Sequence, residues 1–201
     1  MEPLLVVAGG PSLRKQTDAL RAWKGAVFCC NRFTLWRNPP VSPDYYAVSA
    51  SAVLRDVEPN NPPYGKKRFV VSRIRDQLAD WVDDDTWTTV YKKDFHDPPM
   101  PGGDLLVRNG PTMAGVMVQI GAWMGYTDIR VVGIEQRGAG HMYDPRAKLD
   151  VKYFIPNEEK LFSSWRVIKD TYEDAGIRLR DSTPNGRLNE ILEYLPLESA
   201  L

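Results

Sequence analysis

Leu4-Leu5-Val6-Val7-Ala8-Gly9-Gly10-Pro11-Ser12-Leu13 decides the class of this chain. Five apolar residues in a row, without alternation, read as a short strand buried on both faces. The strand ends in a tight glycine turn, and a helix begins just after it. In an open α/β sheet such a turn holds a phosphate-bearing ligand. Glycines let the backbone approach the phosphate, and the free N–H groups of the helix start point at it. The spacing is neither the GxGxxG dinucleotide fingerprint nor a Walker loop, since no Lys-Ser/Thr follows the glycines. Taken alone, the residues fit equally well a structural turn that binds nothing.

Further strands are expected at 26–30, 45–49, 68–72, 129–134 and 177–180, with another at 86–91 near an edge. Helices are expected at about 17–23, after Ser72 (Ile74, Leu78 and Trp81 share one face), from the cap Thr112 to about Met124, at about 157–175, and from Leu188 onward. Strands alternating with helices predict an α/β class: a single Rossmann-like domain with a mostly parallel sheet and helices on both faces. Residues 94–111 are too rich in Pro and Gly for a regular element and are expected as a surface loop. Residues 135–156 are expected as a mobile loop at a strand's carboxyl end, where open sheets place their sites.

A chain of 201 residues suits one such domain. Lys+Arg and Asp+Glu are balanced at 26 each, so a nucleic acid is not the expected partner. The adjacent Cys29 and Cys30 point to opposite faces of a strand and cannot readily pair, so both read as small buried residues in a reducing compartment. No stretch approaches the ~20 apolar residues of a membrane span, and no leader pattern is visible. The expected location is cytoplasmic.

Four turns after strands carry polar, glycine-bearing sequence or an asparagine: 9–13, 31–33, 135–143 and 182–186. Thr112 adds a helix start. In a parallel sheet all of these open on one edge. With that order of motifs the chain resembles the bacterial sialyltransferases that use CMP-activated sialic acid, and related domains of unassigned function. Those begin with Ala-Gly-Asn-Gly-Pro-Ser-Leu; here Ala8-Gly9-Gly10-Pro11-Ser12-Leu13 is one residue shorter. Their Cys-Asn-Gln-Phe is matched by Cys30-Asn31-Arg32-Phe33. Their Thr-Ser-Gly-Val helix start, Leu-Gly-Tyr-x-x-Ile and Gly-Ile-Asp are matched by Thr112-Met113-Ala114-Gly115-Val116, Met124-Gly125-Tyr126-Thr127-Asp128-Ile129 and Gly133-Ile134-Glu135. Their Cys-Pro-Asn-Ser turn is matched by Thr183-Pro184-Asn185-Gly186. The match covers 4–37 and 109–201.

The resemblance implies one nucleotide-sugar-binding, glycosyltransferase-like domain over 1–201. It implies a nucleotide-sugar donor as substrate, a glycan or other hydroxyl acceptor, no metal and no further cofactor. It places Gly9, Gly10, Pro11, Ser12, Asn31 and Arg32 around the nucleotide phosphate and ribose. Thr112 and Gly115 add N–H groups, Gly133, Ile134 and Glu135 line the base or sugar pocket, and Asn185 lies in the last turn. The family holds its leaving phosphate with two tyrosines. Tyr143 matches the second, and Arg137 occupies the position of the first, where a guanidinium suits a phosphate. The family's phosphate-turn Asn is absent. So is its general-base His, since residues 154–159 contain none.

His141 is the residue type to deprotonate an acceptor hydroxyl, and Asp144 follows it by three; a solvated loop His is the alternative. His96 has the same two readings. Glu135 is read as base, ribose acceptor or helix-capping acid. Glu158 and Glu159 are read as base or as acids complementing a helix start. Arg146 and Lys148 offer further loop charge, and Trp36 is kept as a stacking residue. Three function classes follow: a glycosyltransferase with His141, Arg137, Tyr143 and Glu135 as catalytic residues; a pyrophosphoryl transferase of the pterin-alcohol type, requiring ATP, magnesium and carboxylates; and a non-catalytic nucleotide- or glycan-binding module. A second copy of the chain stays among the candidate partners.

Overall fold

Apolar runs of four or five residues between turns form the central strands of this chain, and all the described strands run the same way. The computed structural model describes residues 2–49, 65–75, 86–94, 97–109, 112–135, 142 and 158–200. The strands are β1 (Leu4–Val7), β2 (Ala26–Cys30), β3 (Tyr45–Val48), β4 (Lys67–Val71), β5 (Trp87–Lys93), β6 (Leu106–Arg108), β7 (Asp128–Val132), β8 (Arg178–Asp181) and β9 (Glu193–Tyr194). They lie in the order β6-β5-β4-β3-β2-β1-β7-β8-β9. All eight neighbouring pairs are parallel. The helices are α1 (Thr17–Ala22), α2 (Ser72–Arg75), α3 (Met113–Trp123) and α4 (Glu158–Asp174). The class is α/β with an all-parallel Rossmann-like sheet, as the alternation predicts.

β1 shows why its sequence does not alternate. All four of its side chains are fully buried. Leu4 and Val6 join a cluster with Val116, Ile120, Trp165 and Ile168 of α3 and α4, whereas Leu5 and Val7 join one with Leu13, Leu20 and Trp23 on the other face. Burying each such side chain contributes roughly 1.5–3 kcal/mol. Cys29 and Cys30 divide between the two clusters in the same way, buried and unpaired. α3 begins at its N-cap Thr112, whose hydroxyl accepts the Gly115 N–H. It packs closely on β1 through Gly121, where an added Cβ would lie 2.4 Å from Leu4 Cδ2. α4 buries Leu161, Trp165, Ile168 and Tyr172, one stripe at helical spacing.

Two segments depart from the sequence reading. The stretch 94–111, expected to lack regular structure, contains β6, so β5 has a neighbour on both sides and β6 forms the edge. A side chain stabilises this short strand. The buried Gln119 of α3 accepts from Arg108 N at 2.7 Å and donates to Arg108 O at 3.1 Å, as a further strand would. Its amide also donates to Gly115 O at 3.0 Å. The Pro/Gly residues around β6 are tied by Trp123 Nε1 to Gly103 O and by the Tyr172 hydroxyl to Pro99 O. At the other end, the helix from Leu188 is a single 3-10 turn, Arg187–Glu190, followed by β9.

Candidate functional site

The strand order reverses at β1. From β1 the chain adds strands on one side as far as β6, then returns to the other side with β7. The carboxyl ends of β1 and β7 therefore flank a topological switch point, where parallel α/β sheets bind ligands.

The two strand ends are bonded together there. Gly10 N donates to Gly133 O at 2.9 Å. Gly133 has φ +77°, and a Cβ on it would lie 2.9 Å from Leu13. Pro11 opens the 3-10 turn Pro11–Lys15. Its free N–H at Ser12 is not open: it donates to Glu135 Oε1 at 2.6 Å. The other carboxylate oxygen fills the space of a Gly10 side chain, since a Cβ there would lie 1.5 Å from Glu135 Oε2. In this state the chain's own carboxylate sits where the sequence reading put a phosphate. Glu135 here accepts an N–H of the 3-10 turn.

The turn after β8 joins the same place. Thr183 Oγ1 accepts from Ile134 N at 3.2 Å, and Arg187 N donates to Glu135 O at 3.4 Å. Asn185 is exposed with φ +55°, in a turn closed by Gly186 N to Thr183 O. Beneath it lies Asp181, which the sequence reading passed over. Its side chain is fully buried, Oδ1 accepts from Thr183 N at 2.8 Å, and Oδ2 has no partner. Burial, with Glu135 nearby, pushes its carboxyl up to about 7 despite the bonds from Thr183. The only sequence signal was a carboxylate at the end of a strand, two residues past the buried Leu179 and on the same face.

Asn31 sits at φ +49° on the same sheet edge and ties β2 to β3. Its Oδ1 accepts from Ser49 N and its carbonyl from the Tyr46 hydroxyl. Arg32 follows, half-buried, in the 3-10 turn Asn31–Leu35. Thr112 places the start of the eleven-residue α3 at this edge, because α3 begins just past the carboxyl end of β6. Gly115 lies in the first turn of α3: its N–H donates to Thr112 Oγ1 at 3.4 Å, and a Cβ on it would make an ordinary contact with Ile168 of α4 at 3.6 Å. Trp36 is likewise a core residue, buried and edge-on to Phe33 at 5.5 Å, with no face for a ligand to stack on.

Met142 is buried against the first turn. Its N–H donates to Gly9 O at 2.7 Å, and its carbonyl accepts from Arg14 Nη2 at 2.7 Å. Its sequence neighbours His141 and Tyr143 lie outside the described residues, as do Arg137, Asp144, Arg146, Lys148 and His96. Glu159 is exposed on the first turn of α4. A cavity of about 410 Å³ opens nearby, lined by Asp94, Arg108, Asn109, Glu159, Lys160 and Ser163 among others. Among the described residues, no group of three or more His, Cys, Asp or Glu gathers to hold a metal ion. No helix among them is long and apolar enough to cross a membrane.

No protein-family model and no curated protein matches the chain. Solved structures do. The sialyltransferase CstII from Campylobacter jejuni, in complex with the substrate analogue CMP-3FNeuAc, superposes with a TM-score of 0.62 at 16% identity, over 98% of this chain and 88% of that one. CstII with a trisaccharide acceptor and CMP gives 0.61 at 15% identity, over 98% and 87%. The monofunctional alpha-2,3-sialyltransferase Cst-I from the same organism gives 0.57 at 11% identity, over 98% and 82%. The fold that the motif order pointed to is the fold found, over nearly the whole chain.

Proposed function

We propose that this protein is a glycosyltransferase that takes a sugar from a nucleotide-activated donor, CMP-linked and of the sialic-acid type, and passes it to an acceptor hydroxyl. One observation carries the reading. The first glycine turn, the Gly133–Glu135 turn and the Thr183–Gly186 turn are hydrogen-bonded to one another at the switch point of a fold shared with CMP-bound sialyltransferases.

The donor's parts sort by charge. Glu135 holds the Ser12 N–H, and a phosphate beside that carboxylate would meet like charge. The phosphate belongs instead at the start of α3, where helix geometry leaves first-turn N–H groups without intrahelical partners. By the family resemblance, Arg137 and Tyr143 would be the side chains that contact it. Glu135 then takes hydroxyls of the ribose, which a carboxylate accepts well. Ile134 and the turn around Asn185 border the base. The cavity beside Asp94, Asn109 and Ser163, with polar groups on a mostly apolar lining, is the place for the acceptor.

In the reaction, the bond between the sugar's anomeric carbon and the phosphate oxygen breaks. The acceptor oxygen bonds to that carbon as His141 takes its proton, and CMP leaves with the electron pair. Arg137 neutralises the charge that grows on the phosphate. This chemistry needs no metal. The test is thermal stability with CMP, CDP, UDP, GDP and ATP, with and without magnesium. A ligand at about 100 times its dissociation constant adds about 2.7 kcal/mol. The expected result is a metal-independent shift with CMP, followed by hydrolysis of a CMP-sugar that Arg137→Ala abolishes. A shift seen only with ATP and magnesium overturns the reading in favour of pyrophosphoryl transfer. CMP binding without turnover of any donor leaves a binding module.

A further inference from the structure

Arg130 is the middle residue of the five in β7, level with Leu5 of β1 and below the strand end that borders the glycine turns. It is 6% exposed, on the face that carries Leu5 and Trp23. Its Nε and Nη1 are both buried, and neither has a hydrogen-bond partner. A guanidinium presents five donors in a fixed fork, and covering it without acceptors is costly. The Trp23 ring lies over it, its centroid 5.7 Å from the guanidinium carbon. That contact attracts the cation through the ring face and satisfies no edge N–H. Burial, with Arg180 adding repulsion, pushes the Arg130 pKa down.

The neighbouring charges do not balance. Arg180 of β8 is the register partner of Arg130, and Arg178 that of Asp128, so all four side chains share one face. Asp128 is fully engaged: Oδ1 accepts from Arg180 at 2.9 Å and Oδ2 from Arg178 at 3.5 Å. Three cations therefore face one carboxylate. The next carboxylate in the row, Glu193 opposite Arg180, is exposed and pairs with none of them among the described residues.

We propose that Arg130 and Arg180, under the cover of Trp23, form a binding site for a phosphate-class dianion, separate from the nucleotide crevice. Three arginines against the single Asp128 leave a net of two positive charges, which matches a dianion. A tetrahedral oxyanion accepts from both edge donors of Arg130 and from Arg180 at once, as a planar fork allows. Trp23, whose indole N–H donates to Ala26 O at 3.2 Å, is the cover that must give up that bond and shift outward to admit it. The phosphate comes either from a soluble phosphomonoester or from a lipid headgroup of the same chemistry.

The experiment titrates the full chain with inorganic phosphate at constant ionic strength. It follows the melting temperature and the Nε–H NMR signal of Arg130, assigned by its loss in Arg130→Met. The expected result is a saturating rise in melting temperature and a saturating shift of that signal, with the rise absent in Arg130→Met. If that variant does not fold, the partly exposed Arg180→Gln weakens the phosphate affinity at least fivefold. An Arg130 signal that stays still, or a rise that persists in Arg130→Met, overturns the proposal. Vesicles bearing a phosphomonoester headgroup, compared with purely zwitterionic ones, separate the sources. Arg130-dependent co-sedimentation assigns a lipid headgroup, and stabilisation without it assigns a soluble ligand. Neither effect in wild type overturns the site.

Discussion

Replacing Gly10 with Ala tests the crevice at its tightest point. Gly10 has φ −73° and ψ 155°, which any residue adopts. Backbone strain therefore plays no part, and the loss of unfolded-state freedom alone would stabilise the protein by about 0.4–1 kcal/mol. The surroundings reverse the sign. The new methyl would lie 1.5 Å from Glu135 Oε2 and 2.5 Å from Gly133 O. Glu135 can swing away, giving up a charge-assisted bond to Ser12 worth about 1.5–3 kcal/mol. The Gly133 carbonyl cannot, because it accepts from Gly10 itself at 2.9 Å, and overpacking against it costs about 1–3 kcal/mol. The net expectation is a loss of about 2–5 kcal/mol. At about 2–4 °C per kcal/mol for a chain of this size, the melting temperature falls by roughly 5–15 °C. Urea unfolding measures it directly, with Gly102→Ala as control. Gly102 is exposed with nothing within 4 Å of an added Cβ, so its φ of +77° is the one penalty there. Adding Glu135→Ala to Gly10→Ala should not restore full stability, because the contact with Gly133 remains. A Gly10→Ala loss below about 1 kcal/mol would refute the close approach of the two turns.

Three further outcomes follow from buried groups. Asp181 is raised from 3.8 to about 7 in the folded protein. Its contribution is complete below the unfolded carboxylate pKa and is lost as pH rises through about 7. The loss is about 4 kcal/mol in all, and Asp181→Asn should flatten that slope in denaturant titrations between pH 4 and 8. An unchanged slope would refute it. Gln119→Leu strips partners from Arg108 N and O, and should cost about 2–4 kcal/mol with fast amide exchange in β6. A native exchange pattern in β6 would show that the strand holds without it. Burial pushes the Cys30 thiol up to about 12 and raises Cys29 as well, so a thiol reagent at pH 8 should label neither until the protein unfolds.

The central strands were legible because each is a continuous apolar run ended by a turn, and α3 because Thr112 caps it. β6 was not. Three residues among prolines and glycines carry no periodicity, and the strand depends on Gln119 of α3, whose sequence distance hides the pairing. The crevice was half legible. That the turns share an edge follows from parallel strands, but the Ser12–Glu135 bond spans 123 residues and rests on β7 lying beside β1. Trp36 shows the limit of residue type as a guide. Placed next to a strand-end turn it suggested a stacking platform, yet its neighbour Phe33 draws it into the core.

The central position of β1 also constrains how the chain is made. Its partners are β2, beginning at Ala26, and β7, ending at Val132. On a ribosome adding about 5–20 residues per second, the second partner emerges roughly 5–20 s after the first. During that interval one side of the most apolar strand has no neighbour, a template for pairing with another chain. Folding from the N-terminus cannot close the sheet early, because the strand that seals its middle is among the last made. Substitutions that weaken β7 should therefore lower soluble yield more than they lower the stability of the finished protein.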